Sequence, residues 1–159
     1  MVKFSEMGLK KEIVSALHDE KLVEAFPIQE ATMPHILNGE DVIGQAHTGS
    51  GKTFAFSLPI IQKIDPSIRK TLALILVPTR ELALQVAEEI KKASKYVGVK
   101  SIPIYGGASL NVQLNALKWR QQIVVATPGR LIDLLERGAL SLNHVQYLVL
   151  DEADRMLDM

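Results

Sequence analysis

The sequence predicts an α/β domain: a parallel sheet covered by helices on both faces. Short, nearly continuous apolar runs such as TLALILV at 71–77 and IVVA at 123–126 alternate with longer amphipathic segments, the pattern of strands buried on both sides by crossover helices. The loops that follow the apolar runs are polar or Gly-rich. In open parallel sheets such loops share the carboxyl edge, where ligands bind.

The elements follow in order. Leu9, Ile13 and Leu17 mark one face of a first helix, and Pro27 to Leu37 reads as a second, with Pro27 in its first turn, Pro34 as an expected kink and Gly39 beyond its end. The apolar run at 41–45 reads as a strand. A helix from Lys52 to about Ile61 follows, then the turn at Asp65-Pro66 and the strand at 71–77. Thr79 can cap a helix from Arg80 to about Ser94 whose Leu82, Val86 and Ile90 make the buried stripe. Next come a strand near 101–105, a helix at 109–117, a strand at 123–126, a helix from Pro128 to Arg137 closed by Gly138, and a strand at 146–150.

Length and composition suit one globular domain: 159 residues, 47% hydrophobic and 23% charged. With 18 basic and 18 acidic side chains there is no bulk positive field, so any nucleic-acid contact must be local. The absence of Cys excludes disulfides and thiol nucleophiles, and His18, His35, His47 and His144 show no metal-ligand spacing. The charged N-terminus and short apolar runs lead us to expect a cytoplasmic protein without a membrane span.

The chemistry concentrates in two stretches. Asp41 to Phe54, DVIGQAHTGSGKTF, places a Gly-rich loop before a helix opened by Lys52 and Thr53. Amides around Thr48, Gly49, Ser50 and Gly51 can converge on phosphate oxygens because Gly49 and Gly51 tolerate positive φ and the helix N-terminus adds partial positive charge. Lys52 would meet the β- and γ-phosphates, and Thr53 a Mg ion. Ala46 stands where the general phosphate-loop pattern has Gly. In the second stretch, the strand at 146–150 delivers Asp151-Glu152-Ala153-Asp154 to the carboxyl edge. Asp151 could hold Mg and Glu152 orient and deprotonate a water; the same acids could instead cap a helix starting near Arg155.

With these residues in view, the chain resembles the first RecA-like lobe of the DEAD-box RNA helicases over essentially its whole length. Ala46, Thr48, Gly49, Gly51, Lys52 and Thr53 fit the family's phosphate loop, with His47 where Gln is usual. Pro78-Thr79-Arg80-Glu81-Leu82, Gly106-Gly107, Thr127-Pro128-Gly129-Arg130 and the tetrad 151–154 follow in family order. Upstream, Phe4 and Gln29 stand at the separation the family uses for adenine recognition. Phe26 replaces a Thr that normally tethers the phosphate loop, which leads us to expect a looser coupling there.

The resemblance implies a RecA-like P-loop fold, with 1–40 as the adenine-recognition segment and 41–159 as the P-loop core. It implies ATP and Mg as cofactors, with Phe4, Gln29 and the loop from Ala46 to Thr53 binding ATP. Lys52, Asp151 and Glu152 would be catalytic, and Thr53 and Asp151 would hold the metal. Pro78, Thr79, Arg80, Gly106, Gly107, Thr127, Pro128, Gly129 and Arg130 would contact the RNA backbone without reading sequence, and Asp154 would link motifs. It also implies a second RecA-like lobe supplying an arginine finger, and a further Ser-Ala-Thr strand lying between those at 41–45 and 146–150. Three outcomes are therefore expected: a neighbouring chain inserts a strand, the two strands close up and pair directly, or they flank a gap that residues beyond Met159 would fill. A GTPase would need an Asn-Lys-x-Asp loop, which is absent; a non-catalytic nucleotide-gated RNA-binding module remains as the alternative.

Overall fold

The computed structural model describes residues 1–159, and its fold is α/β. Its chain divides into two compact units, Met1–Ile64 with Glu89–Gly98, and Asp65–Glu88 with Val99–Met159.

The first unit is helical. Helix α1 spans Lys11–Asp19, α2 Pro27–Leu37 and α3 Lys52–Lys63. Of the apolar positions expected on the first helix, Ile13 and Leu17 are buried on α1, whereas Leu9 lies before the helix and is half-buried; Ala16 on α1, Met33 on α2, and Ala55, Leu58 and Ile61 on α3 are buried as well. Helix α2 runs unbroken through Pro34, which lies on the exposed side and so removes one ladder bond without burying an orphan carbonyl. The N-terminus is pinned by main-chain bonds, Phe4 N–H to Val23 C=O and Ala25 N–H to Val2 C=O.

The second unit carries the sheet. Strands β1 (Ala73–Leu76), β2 (Ser101–Ile104), β3 (Ile123–Ala126) and β4 (Tyr147–Leu150) are all parallel, in the order β2-β3-β1-β4. Leu76, Ala126, Ile104 and Leu150 are in register, so the carboxyl ends finish level. One face packs Leu74, Ile102, Ile104, Val124 and Ala126 against Leu117 of α5 (Leu110–Leu117) and Leu131 and Leu134 of α6 (Pro128–Glu136). On the other face Ser101 Oγ donates to Ala87 C=O of α4 (Arg80–Ala93), so helices cover both faces as expected. A short α7, Ala153–Leu157, follows the tetrad.

One expected strand does not form. Residues 41–45 have no strand pairing, and Ile43 is fully exposed. An extended segment becomes a strand only by hydrogen bonding to a neighbour, and the sheet stops at β4, whose one partner is β1. Direct pairing of 41–45 with β4 is therefore not what the chain does.

Candidate functional site

The Gly-rich loop read from the sequence as a phosphate cradle belongs to the first unit. Gly49 (φ +81°) and Gly51 (φ +84°) adopt the left-handed backbone foreseen for them, and Gly51 leads directly into α3, whose ladder opens with Ala55 N–H to Gly51 C=O. The N–H groups of Lys52, Thr53 and Phe54 thus sit in the first turn, ahead of any intrahelical acceptor. Ser50 turns inward: its N–H and its hydroxyl both donate to His47 C=O, so its amide serves the turn. Ala46 is half-buried, while His47, Thr48 and Gly49 are exposed.

Gln29 does something the sequence reading did not foresee. It is 1% exposed; its Oε1 accepts from Phe26 N–H at 2.8 Å, and its Nε2 donates to Gly51 C=O at 3.0 Å. The two groups needed to read adenine are both engaged within the unit. The tether expected to be weak at Phe26 is thus supplied by Gln29. Phe4, at 2% exposed, is a core residue whose ring offers no open face to a base.

The second unit brings four of the five motif loops to one edge. Because β1 to β4 end level, the turns after them carry Pro78–Glu81, Gly106-Gly107, Thr127–Arg130 and Asp151–Asp154 respectively. The fifth, Ala46–Thr53, lies in the first unit. The two Thr residues behave differently. Thr79 Oγ1 accepts from Leu82 N–H at 3.2 Å and caps α4, whereas Thr127 holds the cap position of α6 with no side-chain cap bond.

The three non-acidic loops are cross-linked through two residues not singled out from the sequence, Tyr105 and Gln113. The Arg80 guanidinium lies 5.0 Å from the centroid of the Tyr105 ring, a cation–π distance. Gln113 Nε2 donates to Tyr105 C=O at 2.9 Å and its Oε1 accepts from Arg130 Nη1 at 2.9 Å, while Arg130 Nη2 donates to Ala108 C=O at 3.2 Å. The available signal was a polar residue four before Leu117 on the buried stripe of α5.

At the acidic loop, Asp151 is buried and its N–H donates to Leu76 C=O, which continues the β4 ladder by one residue. Glu152 follows in the left-handed region (φ 55°, ψ 49°) and its carboxylate is held by Arg155 Nη1 at 2.8 Å. Asp154 is exposed in the first turn of α7.

With the Gly-rich loop before α3, the buried Asp151 at a strand end and the left-handed Glu152 beside it described, the chain can be compared with known families. Residues 26–159 match the DEAD/DEAH box helicase family model. The chain belongs to the DEAD/DEAH box helicases. Among curated relatives it is 53% identical to the ATP-dependent RNA helicase DeaD of Escherichia coli K12 over 157 residues, covering 98% of this chain and 25% of that protein. It is 52% identical to the ATP-dependent RNA helicase CshA of Listeria monocytogenes over 159 residues, covering 100% of this chain and 31% of the relative. The CshA helicase of Bacillus cereus is 46% identical over the same length, and the chain covers 30% of it. The chain thus spans between a quarter and a third of these relatives. No helix of this DEAD/DEAH box chain is long and apolar enough to cross a membrane.

Proposed function

We propose that the chain is the ATP-loading and RNA-binding N-terminal lobe of an ATP-dependent RNA helicase that disrupts short duplexes together with a second RecA-like lobe. The observation that carries this reading is the level carboxyl edge, where one sheet presents the Pro-Thr-Arg, Gly-Gly, Thr-Pro-Gly-Arg and Asp-Glu-Ala-Asp loops together. Its relatives' names supply ATP and RNA as the ligands.

Each unit carries residues of the chemistry a Mg-nucleotide needs. Left-handed Gly49 and Gly51 lead into a twelve-residue helix that offers N–H groups and Lys52 to phosphate, and Thr53 and Asp151 carry the hard oxygen donors that Mg prefers. When bound, the metal would neutralise charge developing on the transferred phosphoryl group. Lys52 adds a point charge, and Glu152, freed from Arg155, orients and deprotonates the water. Gln29 holds Gly51 and so sets the loop's geometry, and with Phe4 it stays assigned to adenine recognition. Thr79, Arg80, Gly107, Thr127, Gly129 and Arg130 meet sugar and phosphate, which position RNA without reading it.

The Glu152–Arg155 ion pair gives the non-catalytic alternative a specific footing, because it occupies the proposed base. An ATPase assay on the purified chain, with Mg and with or without RNA, separates the readings. We expect weak adenine-nucleotide binding and little turnover, since arginine fingers contribute about 10³–10⁵ in rate. Loss of nucleotide binding in Lys52→Ala supports the site; rapid RNA-stimulated turnover by the chain alone would remove the need for a second lobe.

A further inference from the structure

Gln113 is 5% exposed, yet its side-chain amide bonds outside its own helix, to Tyr105 C=O and to Arg130. Arg130 in turn grips Ala108 C=O. The pair therefore clamps the main chain on both sides of Gly106-Gly107, at residue 105 through the amide nitrogen and at residue 108 through the guanidinium. Gly107 is left-handed (φ +80°), and a Cβ on either glycine would meet nothing within 4 Å, so packing does not fix this turn. Its geometry is set by hydrogen bonds.

The chemistry of the clamp is specific to Gln. One planar group must donate to a carbonyl and accept from a guanidinium. A carboxylate would accept from Arg130 but cancel its charge and set two acceptors against each other at Tyr105. An apolar side chain would leave a carbonyl and a guanidinium unpaired in a half-buried place. A neutral amide holds Arg130 while leaving its charge, and three of its five N–H donors, for another ligand. Through the Tyr105 ring the same cluster reaches Arg80.

We propose that Gln113 is the positioning residue of this edge: its amide sets Arg130 and the Gly106-Gly107 turn in the geometry in which both meet an RNA phosphate. The inference rests on the reading that Arg130 binds RNA backbone, and the test separates the two. Binding of a labelled single-stranded oligouridylate to the full chain is measured at several salt concentrations for wild type, Gln113→Met, Gln113→Glu, Arg130→Ala and the double variant that combines Gln113→Met with Arg130→Ala. Adenine-nucleotide affinity and thermal midpoint are measured alongside.

Gln113→Met should weaken RNA binding about 5–20-fold and make the slope of log K against log salt shallower by about 0.7, the share of one phosphate contact on a single strand. Nucleotide affinity should stay within about twofold, and Gln113→Met should add little in the Arg130→Ala background, because the two residues act as one unit. Gln113→Glu should lose RNA affinity at least as strongly, since Arg130 stays docked with its charge cancelled; if the Met variant fails to fold, this variant carries the test. RNA binding unchanged in both Gln113 variants but weakened by Arg130→Ala would overturn the positioning role. So would losses in RNA binding, nucleotide binding and melting that run in parallel and add to those of Arg130→Ala. RNA binding unchanged in Arg130→Ala would overturn the backbone-contact reading itself.

Discussion

The side-chain amide of Gln29 and the main-chain carbonyl of Gly51 are hydrogen-bonded, Nε2 to O at 3.0 Å, across 22 residues of sequence. The contact is close enough that a side chain at residue 51 would force Gln29 and Phe26 to shift. A Cβ there would lie 2.4 Å from Gln29 Nε2 and 2.6 Å from Phe26 Cδ2, whereas a Cβ on Gly49 would meet nothing within 4 Å. Both glycines are left-handed, so Ala at either costs about 1–2 kcal/mol of backbone strain. Gly51→Ala should lose roughly another 1–3 kcal/mol because it displaces a buried amide from its partner. Urea unfolding of the two variants checks this, and equal losses would sink the idea that Gln29 braces the loop.

Local features were legible in the sequence; pairings across the chain were not. The strand at 123–126 and the left-handed glycines at 49 and 51 follow from apolar continuity and from loop chemistry, which neighbouring residues decide. Residues 41–45 have a strand's composition, but strand formation belongs to a pair, and no partner is present for them. Gln29 and Gln113 could be noticed as polar residues in helices, yet their partners at Gly51, Tyr105 and Arg130 come from separate segments. Phe4 shows the converse: its register with Gln29 suggested a base platform, while the main-chain bonds flanking it carry the ring into the core.

Glu152 holds a backbone conformation that costs an L-residue energy, at φ 55° and ψ 49°. Comparing Glu152→Gly with Glu152→Ala isolates that cost, because both lose the Arg155 ion pair and only glycine relieves the strain. The Gly variant should be the more stable by about 0.5–1 kcal/mol, the strain relieved less the extra freedom of glycine in the unfolded chain. On the proposed function, both should also lack ATP turnover when assayed together with a second RecA-like lobe. A less stable Gly variant in chemical denaturation would show that the conformation carries no strain.

Asp19 accepts from Lys95 Nζ at 2.6 Å and from Tyr96 Oη at 2.5 Å. The Lys95 hydrogen bond first, and the Tyr96 hydroxyl second, hold its carboxyl below the ordinary carboxylate value; Asp19 in turn raises Lys95. A lowered carboxylate pKa gives stability that is present above the unfolded value and lost as pH falls through the folded one. For Lys95 the contribution is lost as pH rises through its raised value. Asp19→Asn should therefore melt lower than wild type at neutral pH, with the gap closing in acid. Both side chains are partly exposed, so the gap should be small and shrink with salt. A difference that persists unchanged below the carboxylate range would exclude the ion pair as its source.

The two edges of the sheet are not equally protected. Strand β2 carries Pro103 at its centre, a residue that cannot donate to an added strand. Strand β4 has no such guard, and it exposes Leu148 at 62% and Leu150 at 53% beside its unpaired edge. Open main-chain groups next to apolar side chains make a template for another strand. The chain by itself should therefore self-associate as its concentration rises. Leu148→Lys places a charge on that edge, and at an exposed position it should change folding stability by no more than about 0.5 kcal/mol. Sedimentation velocity over a concentration series should show the wild type shifting to larger species and the Lys variant remaining monomeric. If both associate alike, the contact lies elsewhere than β4, and the unpaired edge is not what drives assembly.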